Sequence, residues 1–129
     1  MSLLAPLAPL RAHAGTRLTQ GLSDPHVEQL AANHPDLRAA IDAAADEYAR
    51  IKPQAAALLD LDESAQIAAV QDGFVNFYAD DAVVPYIALA ARGPWVVSLK
   101  GAVLYDAGGY GMLGFGHTPA DILEALGKP

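Results

Sequence analysis

Gly93-Pro94-Trp95-Val96-Val97-Ser98-Leu99-Lys100-Gly101-Ala102-Val103-Leu104-Tyr105-Asp106 is the stretch that decides the fold class of this 129-residue chain. Trp95 to Leu99 is β-branched and aromatic, and Ala102 to Tyr105 repeats that character more loosely. Lys100-Gly101 between them reads as a two-residue hairpin loop, with glycine supplying the positive φ. A glycine-rich run follows from Ala107 to His117. Thr118 is then expected to cap a last helix, with Pro119 in its first position, Asp121 at the capping-box spacing and Gly127 at its end.

The sequence before this stretch is helical in character. Of 27 alanines, 18 precede Gly73, whereas 8 of 9 aromatic residues and 9 of 11 glycines lie from Gly73 onward. Asp24-Pro25 can open a helix that runs to about Ala32. Asn33 is expected to cap the next helix, whose apolar residues Leu37, Ile41, Ala44, Tyr48 and Ile51 form one stripe. Pro53 stops it or starts the next turn. Asp62 caps a further helix from Glu63 to Gln71, with Gly73 at its C-terminal end. The fold class is therefore α+β: short helices, then a small antiparallel hairpin, a glycine-rich loop and a terminal helix. Three segments are expected: a loose leader over 1–22, a helical N-terminal extension over 23–73, and a hairpin segment over 74–129.

Composition excludes several classes of function. The chain has no cysteine, so disulfides, thiolate metal sites and cysteine nucleophiles are absent. A net charge of −7 argues against a nucleic-acid partner, which needs clustered Lys and Arg. No apolar run is long enough for a membrane span. Met1 to Leu10 is apolar but lacks a basic start and contains Pro6 and Pro9, so it does not read as a secretion signal; a cytoplasmic location is expected.

Individual motifs are weak. Gly109-Tyr110-Gly111-Met112-Leu113-Gly114 matches GxGxxG, but no helix can begin there and no second βα unit follows. It reads as a loop that needs unusual φ and ψ. No pair among His13, His26, His34 and His117 has helical metal-ligand spacing, so no metal site is expected. Asp80-Asp81 reads as two solvated carboxylates. Ser2, Ser23, Ser64 and Ser98 are not in nucleophile elbows. Lys52, Lys100 and Lys128 are the lysines able to form a Schiff base; Lys100, in the hairpin turn, and Lys128, at the chain end, are expected at the surface. These residues contain no complete catalytic constellation.

Between Phe74 and Leu126 the order of short motifs resembles the opening of class III (subgroup II) aminotransferases, pyridoxal-phosphate enzymes of fold type I. The residues that carry it are Asn76-Phe77-Tyr78, Pro85-Tyr86, Arg92-Gly93, Trp95-Val96-Val97, Gly101 to Asp106, Gly108 to Met112, Gly116-His117 and Ile122 to Leu126. The chain departs from the family pattern in its Lys100-Gly101 turn and in the proline that comes one residue early after His117. The family's phosphate-binding loop, the Asp that pairs with the pyridine nitrogen and the Schiff-base Lys have no counterpart here. The resemblance thus implies the N-terminal piece of such an enzyme, homodimeric when full length, acting on an amino acid or amine and a 2-oxo acid. It implies that Gly108, Gly109, Tyr110, Gly111 and Met112 line the substrate side of the pocket, that the chain holds no catalytic residue, and that it binds no pyridoxal phosphate alone. Asp106 is expected to fix the loop through backbone hydrogen bonds, and His117 to cap or pack beside the last helix. The alternatives are a non-enzymatic acidic helical interaction module and a small-molecule-binding domain.

Overall fold

The apolar stripe of the long helix packs against the strands. A computed structural model of the chain describes residues 2–74, 79, 82–107 and 114–128. The long helix, α3, spans Pro35–Ile51. It follows a helix of four residues, α1 (Ala8–Arg11), and one of eight, α2 (Asp24–Ala31). A 3-10 turn, Ala5–Leu7, precedes α1. Leu37, Ile41, Ala44 and Tyr48 of the expected stripe are buried, together with Ala40, while Ile51 packs partly buried against them. Pro35 takes the first turn of α3, which moves the N-cap to His34 instead of Asn33. Two more helices follow, α4 (Ala56–Leu59) and α5 (Glu63–Gln71).

The strands β1 (Ala88–Arg92), β2 (Trp95–Ser98) and β3 (Val103–Tyr105) form an antiparallel meander in the order β1-β2-β3. All four residues of the central strand are buried. Trp95, Val97, Leu99 and Val103 join the core that α3 contributes to. Among the described residues the architecture is α+β, with six helices and one three-stranded sheet.

The hairpin turn differs from expectation by one residue. Val97 pairs with Val103, and the Ser98 amide donates to the Ala102 carbonyl, so the loop holds three residues, Leu99 to Gly101. Gly101 sits at φ +75°, where the third residue of such a loop takes a left-handed conformation. A Cβ there would also lie 2.8 Å from Arg11 Cγ, so the close approach of α1 needs glycine as well. The terminal helix, α6 (Ala120–Leu126), starts after Pro119 and not after Thr118. Thr118 stands at φ +50°, an uncommon conformation for a β-branched residue, and its hydroxyl donates to the Ala91 carbonyl of β1.

The N-terminal stretch expected to be a loose leader is part of the core. Leu7 and Leu10 are at most 1 % exposed and Leu4 is buried with them. Pro6 and Pro9 fall in first helical turns, where a missing N–H costs nothing. The three leucines, the α3 stripe and the strands belong to one hydrophobic cluster. Further on, the Leu22 amide donates to the Val103 carbonyl at 2.8 Å, tying the same stretch to β3. No helix among the described residues is long and apolar enough to cross a membrane.

Truncating Leu7 or Leu10 to alanine is expected to lower the unfolding free energy by about 2–5 kcal/mol, the usual cost of emptying a filled leucine site. Urea denaturation measures it. A loss below about 0.5 kcal/mol, the range of a surface substitution, would detach this segment from the core.

Candidate functional site

Two places bring polar side chains together. The first lies at the base of the glycine-rich loop. β3 delivers Asp106, whose amide donates to the Pro94 carbonyl at 2.7 Å. On the far side of the loop, His117 forms a two-way backbone bridge with Gly93, at 3.0 and 2.7 Å. The Asp106 carboxylate lies 2.9 Å from His117 Nε2, so the two side chains clasp the ends of the loop. A Cβ on Gly116 would fall 2.8 Å from Gly93 Cα, so the bridge needs glycine beside His117. Burial first, and then the charge of Asp106, push the Tyr86 hydroxyl above its ordinary pKa. Asp106 thus acts through its side chain as well as its amide. His117 anchors to the turn before β2 and not to α6.

The expected pocket residues Gly108, Gly109, Tyr110, Gly111 and Met112 lie outside the described residues, as do Asp80 and Asp81. Among the described residues no group of three or more His, Asp or Glu could hold a metal ion.

The second place surrounds the hairpin turn. Lys100, expected at the surface, is 4 % exposed. Its ammonium donates to the carbonyls of Ala14 at 2.5 Å and Leu59 at 3.1 Å. Burial lowers its pKa below 10.5, and the charges of Asp62, Glu63 and Asp60 offset part of that. Nothing local in the sequence marks this burial, because the accepting carbonyls come from residues 86 and 41 positions away. The other two lysines are exposed: Lys52 stands over the Tyr48 ring and Lys128 pairs with Glu124.

The start of α5 holds the irregular stretch after α1. Asp62 accepts from the Thr16 amide at 2.6 Å instead of capping its own helix through its side chain. Glu63, 2 % exposed, accepts from the amides of Leu18 and Thr19. Burial pushes the Glu63 carboxyl up, but the amide and hydroxyl of Thr19 and the amide of Leu18 outweigh it and hold the pKa below 4.5.

His13 bridges Tyr48 and Asp60. Its Nδ1 lies 2.6 Å from the Tyr48 hydroxyl and its Nε2 lies 2.9 Å from Asp60. The order Tyr-His-Asp matches that of a nucleophile, base and orienting acid. Tyr48 is 5 % exposed within the core, and the group ties α3 to the C-terminal end of α4.

Arg11, His13, Gly15, Arg17, Gln20, Gly21, Leu22, Ser23, Asp24 and Lys100 line a cavity of about 590 Å³ beside this turn. Arg11 donates through Nε to the Gly101 carbonyl and through Nη1 to both Asp24 oxygens, each at 2.9 Å.

Because the folded pKa of Glu63 is below its unfolded value, its contribution to stability is complete above pH 4.5 and disappears as the pH falls through the lower folded value. Denaturation midpoints taken from neutral into acid pH are therefore expected to fall more steeply in the wild-type chain than in Glu63→Gln. Parallel curves would mean that the carboxylate is not held by these amides. No protein-family model matches the chain, and no curated protein or solved structure is similar to it at a significant level.

Proposed function

We propose that the chain is the N-terminal segment of a class III, fold type I aminotransferase, which contributes the substrate-side loop of a pocket completed by further sequence. The observation that carries this reading is the Asp106–His117 clasp. Both residues belong to the motifs behind the resemblance, and their contact gathers the two ends of the glycine-rich loop against the β1-β2 turn. A loop anchored this way can present backbone closely to a small substrate, because glycine leaves room for the approach. In this reading Gly108, Gly109, Tyr110, Gly111 and Met112 form that wall.

The uncovered side of the same region supports it. α6 buries none of its residues. Ile122 is 38 % exposed, Leu123 51 %, Leu126 77 % and nearby Phe115 79 %. An apolar helix of seven residues gains little stability alone and requires a surface to pack on. A larger domain of the same enzyme would supply that surface.

Bound pyridoxal phosphate would supply the electron sink for amino-group transfer. The lysines here do not fit its attachment: Lys100 is committed to two carbonyls, and Lys52 and Lys128 are exposed, the one over the Tyr48 ring and the other paired with Glu124. The reading therefore assigns the cofactor to other sequence and gives this chain positioning work only. Asp106 and His117 hold the loop ends, and the loop backbone shapes the substrate side.

Two outcomes test it. Adding pyridoxal phosphate to the 129-residue chain is expected to leave the cofactor spectrum that of the free compound; a protein-bound absorbance band would contradict the division of labour. The nucleotide sequence beyond codon 129 is expected to encode the large domain. In that longer protein, Gly109→Val and Gly111→Val should lower transamination more than Tyr110→Phe does. Equal activities would remove the close backbone approach.

A further inference from the structure

We propose that residues 16–20 form an acid-released flap, hinged on Gly15 and Gly21, which lifts from the start of α5 when Glu63 takes up a proton while the core stays folded. Carboxylates supply most of the hold on this segment. Asp62 accepts from the Thr16 amide at 2.6 Å, and one oxygen of Glu63 accepts from the amides of Leu18 at 2.5 Å and Thr19 at 2.8 Å. The hydroxyls of Thr16 and Thr19 add to these bonds. The Glu63 amide also donates to the Thr16 carbonyl at 2.9 Å, a single bond that no proton removes. Packing contributes little. None of residues 15–21 is buried, none belongs to the hydrophobic cluster, and Leu18 is 58 % exposed. A segment held this way opens at a lower free-energy cost than the core does.

Both flanks are anchored without carboxylates. On one side the Lys100 ammonium donates to the Ala14 carbonyl, and on the other the Leu22 amide donates to the Val103 carbonyl at 2.8 Å. Gly15 at φ +84° and Gly21 at φ +69° stand just inside these anchors. Glycine absorbs the backbone rotation that a hinge requires. A proton on the shared Glu63 oxygen would set a donor against two amide donors. On the other oxygen it would remove the charge that strengthens both bonds. The charged groups acting on Glu63 are Arg17 from the flap and Lys100 from the hairpin turn; Lys100 also acts on Asp62 and Asp60, and His13 pairs with Asp60. An arginine and a lysine stay cationic in acid, so at this contact only the carboxyls change. The fold holds the Glu63 carboxyl below 4.5, so the flap is closed above that pH and opens as the pH falls through the lower folded value.

The flap is independent of the aminotransferase reading. The test is amide hydrogen exchange read by NMR on the full chain, from neutral into acid pH, with the Glu63 titration followed by the carbon shift of its carboxyl. Protection of the Leu18 and Thr19 amides, corrected for intrinsic exchange rates, is expected to fall about tenfold or more across that titration, the loss of charge-assisted hydrogen bonds. The amides of Leu22 and Ser98, bonded to the Val103 and Ala102 carbonyls, should keep theirs. In Glu63→Gln the Leu18 and Thr19 amides should be less protected already at neutral pH, with Ser98 unchanged. Should that variant not fold, the wild-type titration decides. Undiminished protection of Leu18 and Thr19 once Glu63 is protonated would overturn the proposal. So would a simultaneous loss at Ser98, which is unfolding of the whole chain and not release of a flap.

Discussion

The fold depends on burying one face of the β1-β2 pair under α3. Three strands of three to five residues cannot hold together in water unless an apolar face is covered. Trp95, Val97 and Leu99 present that face, and Leu37, Ile41, Ala44 and Tyr48 cover it. The contact joins the alanine-rich half to the glycine-rich half. Without it, α3 would keep only the N-terminal leucines and α2 against its stripe, and the meander would lack a floor.

Polar groups at the edge of this core are placed with equal economy. The ammonium of Lys100 satisfies two carbonyls from separate parts of the chain. Its burial is tolerable because those acceptors and three neighbouring carboxylates surround it. Asp62 and Glu63 similarly hold the stretch after α1 by its amides, so a segment without regular structure keeps its hydrogen bonds. Gln66 is less complete: its amide nitrogen donates to the Leu58 and Leu59 carbonyls, while its buried oxygen has no partner among the described residues.

Much of the scaffold was legible in the sequence because it follows local rules. The α3 stripe needs only period and burial, and the start of α5 at Glu63 needs only Asp62 before it. The strand-turn-strand pattern was legible too, though the turn holds one more residue than its Lys-Gly signature suggested. Distant contacts were not legible. The buried state of Lys100 is decided by Ala14 and Leu59, and the Asp106–His117 contact by a bridge from His117 to Gly93. The core role of the first ten residues did leave a trace: leucines at 4, 7 and 10 recur every three residues. The prolines at 6 and 9 read as interruptions because their first-turn positions became evident only with the helices themselves.

The bonds from Arg11 to Gly101 and from Lys100 to Ala14 span 90 and 86 residues. Such closures wait for the hairpin turn to be made, and chain entropy opposes them until the elements between are in place. During synthesis Leu7 and Leu10 leave the ribosome before the α3 residues they pack against, and well before the strands of the same cluster. The nascent chain must therefore carry these leucines unsheltered at least until α3 has emerged, a window in which a chaperone would find its binding site at the amino terminus.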